Sequence, residues 1–198
     1  MATQTPLRPT LWRTCRILAN RTRLRALALL LRHSPLTVSE VARRLRTSLA
    51  FASQSLRALE SRGMLKVKRR GRSVEYWPAV EPKGFARDLL PAFRKELTED
   101  ERSVRDAFRI LTAFTHPRRI LLYQAVPSAG IRFEELARRV PFDRQSLRRH
   151  LRKLLARQLL IQTAEGRILT ACPPAALSVA LARAVAADAP APGPIESD

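Results

Sequence analysis

Apolar residues recur at helical spacing in the first part of the chain. Leu24, Leu27 and Leu30 lie on one face of a helix, and Pro35 ends it. The segment 38–45 follows a threonine and has the pattern of a second, shorter helix. The hydrophobic pattern therefore predicts two consecutive helices joined by a short connection.

A longer helix is predicted after this pair. Ser48 is a typical N-cap residue, because its hydroxyl can accept a hydrogen bond from a free N–H of the first turn. Ala52, Leu56 and Leu59 follow at spacings of four and three, which places them on one inward stripe. At 100° per residue, the opposite, outward face carries Ala50, Ser53, Gln54 and Arg57.

The hydrophobic period then changes from 3.6 to 2. Segments 64–68 and 73–77 have the pattern of two strands, and a basic turn over 69–72 joins them. Gly71 provides the positive φ that a tight turn requires. The sequence predicts a hairpin whose cationic side chains are Lys66, Lys68, Arg69, Arg70 and Arg72.

This pattern occurs a second time, 95 residues further along. The offset pairs Glu40 with Glu135 and Leu56 with Leu151, and it continues for about forty residues. A chance similarity between Arg- and Leu-rich segments would not reproduce the order of helices, turn and hairpin. We therefore expect a second copy of the same unit.

The second copy differs in its polar residues. It has a short helix over 133–140, then a longer helix that Asp143 opens and that buries Leu147, Leu151 and Leu154. Its outward face is a cationic cluster that can bind phosphates or guanines or remain solvated, and these three alternatives stay open. The cluster consists of Arg144, Gln145, Arg148, Arg149 and Arg152.

The charge of the chain indicates the kind of partner. The 198 residues include 37 Lys and Arg and 17 Asp and Glu, a net charge of +20, and this excess points to a polyanion. Residues 1–84 carry +14 of this charge and residues 85–198 carry +6. The alternative explanation is a GC-rich genome that raises the Arg content, since 32 of the 37 basic residues are Arg.

Catalytic and metal-binding signatures are missing from the sequence. Cys15, Cys172, His33, His116 and His150 are scattered over different elements without ligand spacing, so we expect neither a metal site nor a cofactor. His116 is predicted to cap a helix, and His150 is predicted to pack beside the leucine stripe. Motifs of known catalytic sites are lacking too, which predicts that the protein is not an enzyme. We expect a cytoplasmic protein associated with the nucleoid.

These elements predict a mainly α fold with small β-hairpin wings, arranged as two tandem winged helix-turn-helix domains. The first domain covers 1–81 and the second covers 98–187, with a helical linker over 82–97 and a disordered tail over 188–198. Pro91 is expected to break or kink the linker helix. Thr98 is expected to open the following helix with a capping box.

The first copy resembles a known family. The segments 18–24, 37–42, 53–59 and 63–76 are similar to the DNA-binding core of ArsR-type (arsenic-repressor) transcriptional regulators, over residues 12 to 78. The second copy, about 105 to 172, resembles it more loosely. Ser55 stands where that family commonly carries His, and neither short helix has the family's cysteine box. The resemblance therefore implies DNA binding and gives no support for metal sensing.

The expected function is that of a sequence-specific regulator that binds double-stranded DNA. The long helices, with the Ser48 cap of the first, would enter the major groove and the basic hairpin would contact the backbone. Family members with one copy dimerise through flanking helices, so we expect a monomeric pseudo-dimer or a weak homodimer. The alternatives are a non-specific DNA- or RNA-binding protein of the nucleoid and a winged-helix scaffold for protein interactions.

Overall fold

The computed structural model describes residues 10–71, 73–171 and 175–188. The first half of the described chain runs from α1 to α5. Its elements are α1 (Leu11–Leu18), α2 (Arg21–His33), β1 (Leu36–Thr37), α3 (Val38–Leu45), α4 (Leu49–Glu60), β2 (Leu65–Arg70), β3 (Ser73–Pro78) and α5 (Phe85–Glu96).

The second half has the same order of elements, apart from a 3₁₀ turn at Thr112–Phe114. It consists of α6 (Glu101–Leu111), α7 (Pro117–Gln124), β4 (Ile131–Arg132), α8 (Phe133–Arg139), α9 (Arg144–Leu155), β5 (Leu160–Gln162), β6 (Arg167–Thr170) and α10 (Ala176–Ala187). The prediction of a mainly helical chain with small hairpins is confirmed.

Each half contains one small antiparallel sheet. The strand order is β1-β3-β2 in the first half and β4-β6-β5 in the second. The short strand that precedes α3 pairs Leu36 with Tyr76, and its counterpart before α8 pairs Ile131 with Ile168. In both halves a third strand therefore fixes the hairpin to the helices.

The predicted helix ends need several corrections. Thr98 is not the cap of α6: the carboxylate of Asp100 accepts hydrogen bonds from the N–H groups of Arg102 and Ser103, so the helix begins two residues later. Pro91 does not break α5, which continues through it. The helix expected over 133–140 stops one residue early, because a residue before proline favours extended backbone.

Two helices were not predicted. The first, α1, lies before the repeated pattern, and α10 is so rich in alanine and other apolar residues that no polar face marks its period. Most of the predicted tail, over 189–198, lies outside the described residues, as do Cys172 and Arg72. The domain boundaries stay a prediction.

Helices from the two halves pack against each other in one apolar core. In this core α5 packs on α10, and α1 packs on α6 and the 3₁₀ turn. Phe93 of α5 and Phe114 of the 3₁₀ turn are among its largest fully buried side chains. The carboxylate of Glu96 also caps α10, where it accepts hydrogen bonds from the N–H groups of Ala176 and Leu177. The two halves thus share buried surface and a helix cap.

The long helices end in the same hydrogen-bonded turn. After α4, the N–H of Met64 donates to the carbonyl of Leu59 at 3.1 Å, and after α9 the N–H of Leu159 donates to the carbonyl of Leu154 at 3.1 Å. This closure needs one residue at positive φ. The first half uses Gly63 (φ 70°), whereas the second half uses Gln158 (φ 57°).

We predict that Gln158→Gly stabilises the protein. A side chain in the left-handed region is strained, and removing it is expected to raise the free energy of unfolding by about 1 kcal/mol. Urea unfolding measures the change. The reciprocal variant Gly63→Gln should be destabilised, and a loss of stability in Gln158→Gly would contradict the prediction.

His150 is buried on α9, as the sequence predicts, and only 4% of its surface is exposed. Its ring lies 4.7 Å from the ring of His116, the N-cap of α7, and neither of its nitrogens has a hydrogen-bond partner among the described residues. Burial, together with the nearby positive charges of His116 and Arg119, lowers the pKa of His150 to about 4. The fold therefore holds this imidazole neutral.

Acid is expected to destabilise the protein through His150. Between pH 6.5 and about 4 the unfolded chain takes up a proton that the folded chain excludes, so the free energy of unfolding should fall by about 2 to 3 kcal/mol from pH 7 to pH 4.5. Urea unfolding at both pH values measures this. The free energy of unfolding of His150→Leu should fall much less. His116→Asn keeps a capping side chain but removes a second imidazole whose pKa burial lowers, so its free energy of unfolding should also fall less than that of the wild type. An equal loss in the wild type and in His150→Leu would contradict the assignment.

Candidate nucleic-acid interface

The first helix-turn-helix is built by two caps and a left-handed residue. The hydroxyl of Thr37 accepts a hydrogen bond from the N–H of Glu40, whose carboxylate accepts one from the N–H of Thr37 at 2.7 Å. Hydrogen bonding by the Thr37 N–H lowers the pKa of Glu40. Arg46 then adopts φ 51° and ends α3, and the Ser48 hydroxyl caps α4 by accepting from Phe51 N–H.

The outward face of α4 lies where the sequence places it. Ala52, Leu56 and Leu59 are buried, which turns the opposite side of the helix to solvent. Of the predicted DNA contacts on this helix and its cap, Ser53 is half-buried, and four are exposed: Ser48, Ala50, Gln54 and Arg57.

Arg57 is held in place on this face. Its guanidinium donates to the Ser53 hydroxyl at 2.8 Å, one turn earlier on the same helix. Because the Ser53 hydroxyl is uncharged, this contact orders the Arg57 side chain without neutralising its charge.

The first hairpin is a basic wing. In β2 only Leu65 is buried, and the side chains from Lys66 to Arg70 are exposed. Lys66, Lys68, Arg69 and Arg70 are therefore available to a partner, whereas Arg72 lies outside the described residues. Pairing with β3 fixes the wing, with Lys68 opposite Glu75.

The second long helix also turns its basic face outward. Asp143 caps α9 by accepting from Ser146 N–H at 2.8 Å, and this bond lowers the pKa of Asp143. All five predicted contact residues on α9 are exposed: Arg144, Gln145, Arg148, Arg149 and Arg152.

Two of these arginines already have partners within the chain. Arg144 forms a short ion pair with Glu134 of α8 and lies over the ring of Phe133. Arg148 lies over the same ring, 5.2 Å from its centroid. In the short second wing, Arg167 donates to the carbonyl oxygens of Ala129 and Gly130. On α9 the cations are thus partly engaged by a carboxylate and an aromatic ring, whereas on the outward face of α4 Arg57 donates to the uncharged Ser53 hydroxyl.

Several exposed side chains near α4 were not predicted as contacts. Arg43, Arg44 and Arg46 extend the positive surface onto α3 and the turn. Leu49 and Phe51, in the first turn of α4, are 58% and 39% exposed. Helical spacing places Leu49 in line with the buried stripe, so periodicity alone gives no sign that it is exposed.

The part of the chain that the structure describes holds no metal-binding cluster and no membrane-spanning helix. Within residues 10–71, 73–171 and 175–188, no group of three or more His, Cys, Asp or Glu side chains could hold a metal ion. Cys15 is buried, and burial raises the pKa of its thiol well above the ordinary value. None of the helices in these ranges is long and apolar enough to span a bilayer.

Comparison with known proteins shows a family to which the first unit is similar. Residues 20–73, which are 54 of the 198 residues, match the model of the MarR family. This match covers α2 through the tip of the first wing, and it supports a winged helix-turn-helix of a DNA-binding regulator there. The match does not support the ArsR-type family specifically, and it does not extend to the second copy of the pattern.

Other comparisons add little to this match. No curated protein matches the chain. One similar solved structure is human N-acetylserotonin methyltransferase in complex with SAM, at 16% identity and a TM-score of 0.31. The alignment covers 65% of this chain, which spans about half (52%) of the methyltransferase chain.

The prediction that the protein is not an enzyme must be corrected. It is contradicted by the comparison, since the similar solved chain is a methyltransferase. Missing catalytic motifs do not by themselves exclude catalysis, because the same chemistry recurs on unrelated folds. At a TM-score of 0.31, this likeness assigns no activity to the chain either.

Proposed function

We propose that this protein is a transcriptional regulator that binds double-stranded DNA at preferred sequences. The supporting observation is the solvent-exposed, polar and basic outward face of α4 beside the basic wing, in the segment that matches the MarR family. In helix-turn-helix proteins, the second helix enters the major groove and its N-terminal residues contact base edges. The helix in that position here is α4.

The side chains of α4 suit base recognition. The amide of Gln54 can both donate to and accept from adenine, and Arg57 can donate to guanine or to a phosphate. Ala50 and Ser53 are small enough to allow a close approach to the bases. The exposed lysines and arginines of the wing fit the phosphate backbone, where they add affinity with little sequence preference.

The second half supplies a second winged helix-turn-helix in this proposal. Its support is the common order of elements, the common strand order and the offset of 95 residues between α4 and α9. The chain would then be a covalently joined counterpart of a regulator dimer. The resemblance to ArsR-type regulators over residues 12 to 78 stays part of the proposal.

The two units contribute unequally. Arg144 and Arg148 of α9 are engaged by Glu134 and Phe133, and the net charge is +14 over residues 1–84 against +6 over the remainder. We therefore assign the stronger DNA contact to the first unit. In the second, Arg149 and Arg152 are exposed and suited to phosphate contacts.

Selection of bound sequences from a random duplex pool tests the function. Competition binding in a salt series should then show a selected site bound roughly 10³-fold or more tightly than random duplex. Equal affinity for all duplexes with a steep salt dependence would instead indicate non-specific coating of DNA. Absence of binding near physiological salt would favour a scaffold for protein interactions.

Gln54→Ala and Arg57→Ala are each expected to cost ~1 to 3 kcal/mol on the selected site, and little on random duplex, because they remove base contacts. Fluorescence anisotropy with both duplexes measures the difference. Arg152→Ala, at the position equivalent to Arg57 in α9, is the matched control and should cost less. A larger effect of Arg152→Ala would reverse the assignment of the stronger unit.

Replacement of both Arg69 and Arg70 by alanine should weaken binding to selected and random duplexes alike. These side chains are expected to neutralise phosphates, so their loss should also reduce the slope of log affinity against log salt by up to about 2. The same titrations, repeated at several salt concentrations, measure both quantities. Selective loss on the preferred site would assign base recognition to the wing.

Sedimentation tests the joined pair of units. If one chain already contains both winged helix-turn-helix units, it needs no second chain to form the pair. The purified protein at micromolar concentration should then sediment as a monomer or a weak dimer. A tight tetramer would contradict this arrangement.

A further inference from the structure

The first turn of α4 carries exposed apolar side chains, which we call the apolar tip. We define the tip as Leu49, Ala50 and Phe51, three consecutive exposed residues that follow the Ser48 cap. Leu49 and Phe51 are 58% and 39% exposed. Single exposed apolar side chains are common on protein surfaces, but adjacent ones at the end of a candidate recognition helix suggest a contact with a partner.

The apolar tip adjoins the outward face of α4. At 100° per residue, Leu49 and Phe51 lie roughly 100° to either side of the line formed by Ala50, Gln54 and Arg57. They border this face at the helix end, and Leu49 also borders the buried stripe. The N-terminal residues of a recognition helix are those that contact base edges. A duplex that contacts Gln54 and Arg57 would therefore also cover the tip.

Charge favours nucleic acid over an apolar protein surface as the partner. Exposed Arg43, Arg44 and Arg46 precede the tip in the chain, and exposed Arg57 follows it. Burying so many cations against an apolar protein surface would be costly, whereas a polyanion compensates their charge. The partner must offer an apolar group within a strongly anionic surface.

The C5-methyl group of thymine fits this description. It is the apolar group that a base pair presents in the major groove, and aliphatic and aromatic side chains contact it. We propose that Leu49 and Phe51 bind thymine methyl groups and thereby select thymine-containing sites. This inference rests on the proposed function and adds a specificity that Gln54 and Arg57 do not provide.

The second long helix lacks this feature. The equivalent positions 95 residues further along are Arg144, Gln145 and Ser146, which are polar or charged. Selection for thymine methyl groups should therefore come from the first unit alone.

Deoxyuridine in place of thymidine tests the inference on the unmodified protein. The substitution keeps base pairing and removes only the methyl group. After selection of a preferred duplex, each thymidine is replaced singly and affinity is measured by anisotropy. We expect about a three- to tenfold loss at one or two positions, from the lost burial of one methyl group.

The double variant Leu49→Ser, Phe51→Ser provides the second arm of the test. It should bind thymidine and deoxyuridine duplexes equally, while Val80→Ser, at an apolar residue that is 85% exposed outside α4, should keep the wild-type ratio. Circular dichroism melts check that both variants fold.

Three outcomes would overturn the inference while leaving the proposed function intact. One is equal affinity of the wild type for thymidine and deoxyuridine duplexes. Another is a double variant that still discriminates between them. If the double variant instead changes only the sedimentation of the protein, the apolar tip is a contact between copies and the inference is wrong. A protein that prefers no duplex would refute the proposed function itself.

Discussion

One apolar core holds both halves of the chain and determines which side of each long helix meets solvent. The leucine stripes of α4 and α9 are buried in it, and α5 packs against α10. Because apolar burial is the main favourable term in folding, these contacts fix the helices, and the polar side chains on the opposite faces follow. The cationic surface is thus a consequence of where the leucines lie.

Within this common framework, the two units differ in how their cations are used. In the second unit, Glu134 pairs with Arg144, and backbone carbonyls accept hydrogen bonds from Arg167. In the first, Glu40 is engaged in a helix cap, and the arginines around α4 remain exposed. Similar backbones therefore carry different net charges, because residues 85–198 contain 13 acidic side chains against 4 in residues 1–84.

Much of this architecture follows from the sequence, because α3, α4 and α9 combine a capping residue with a clear apolar period. The helices at the edges of the halves were harder to predict from the sequence. Because α10 is apolar on nearly every side, no period marks its buried face. The outward faces could be predicted, since they lie opposite the stripes. The ion pair of Arg144 and the exposure of Leu49 depend on tertiary packing that no local pattern encodes.

The covalent union of two unlike units has a consequence for any complex with DNA. Regulators built from two identical chains match palindromic operators, since protein symmetry mirrors DNA symmetry. A chain whose two long helices present Gln54 and Arg57 on one side and an arginine cluster on the other has no such symmetry. Under the proposed function its operator would be directional, so the bound protein would present different surfaces to whatever approaches from upstream and from downstream.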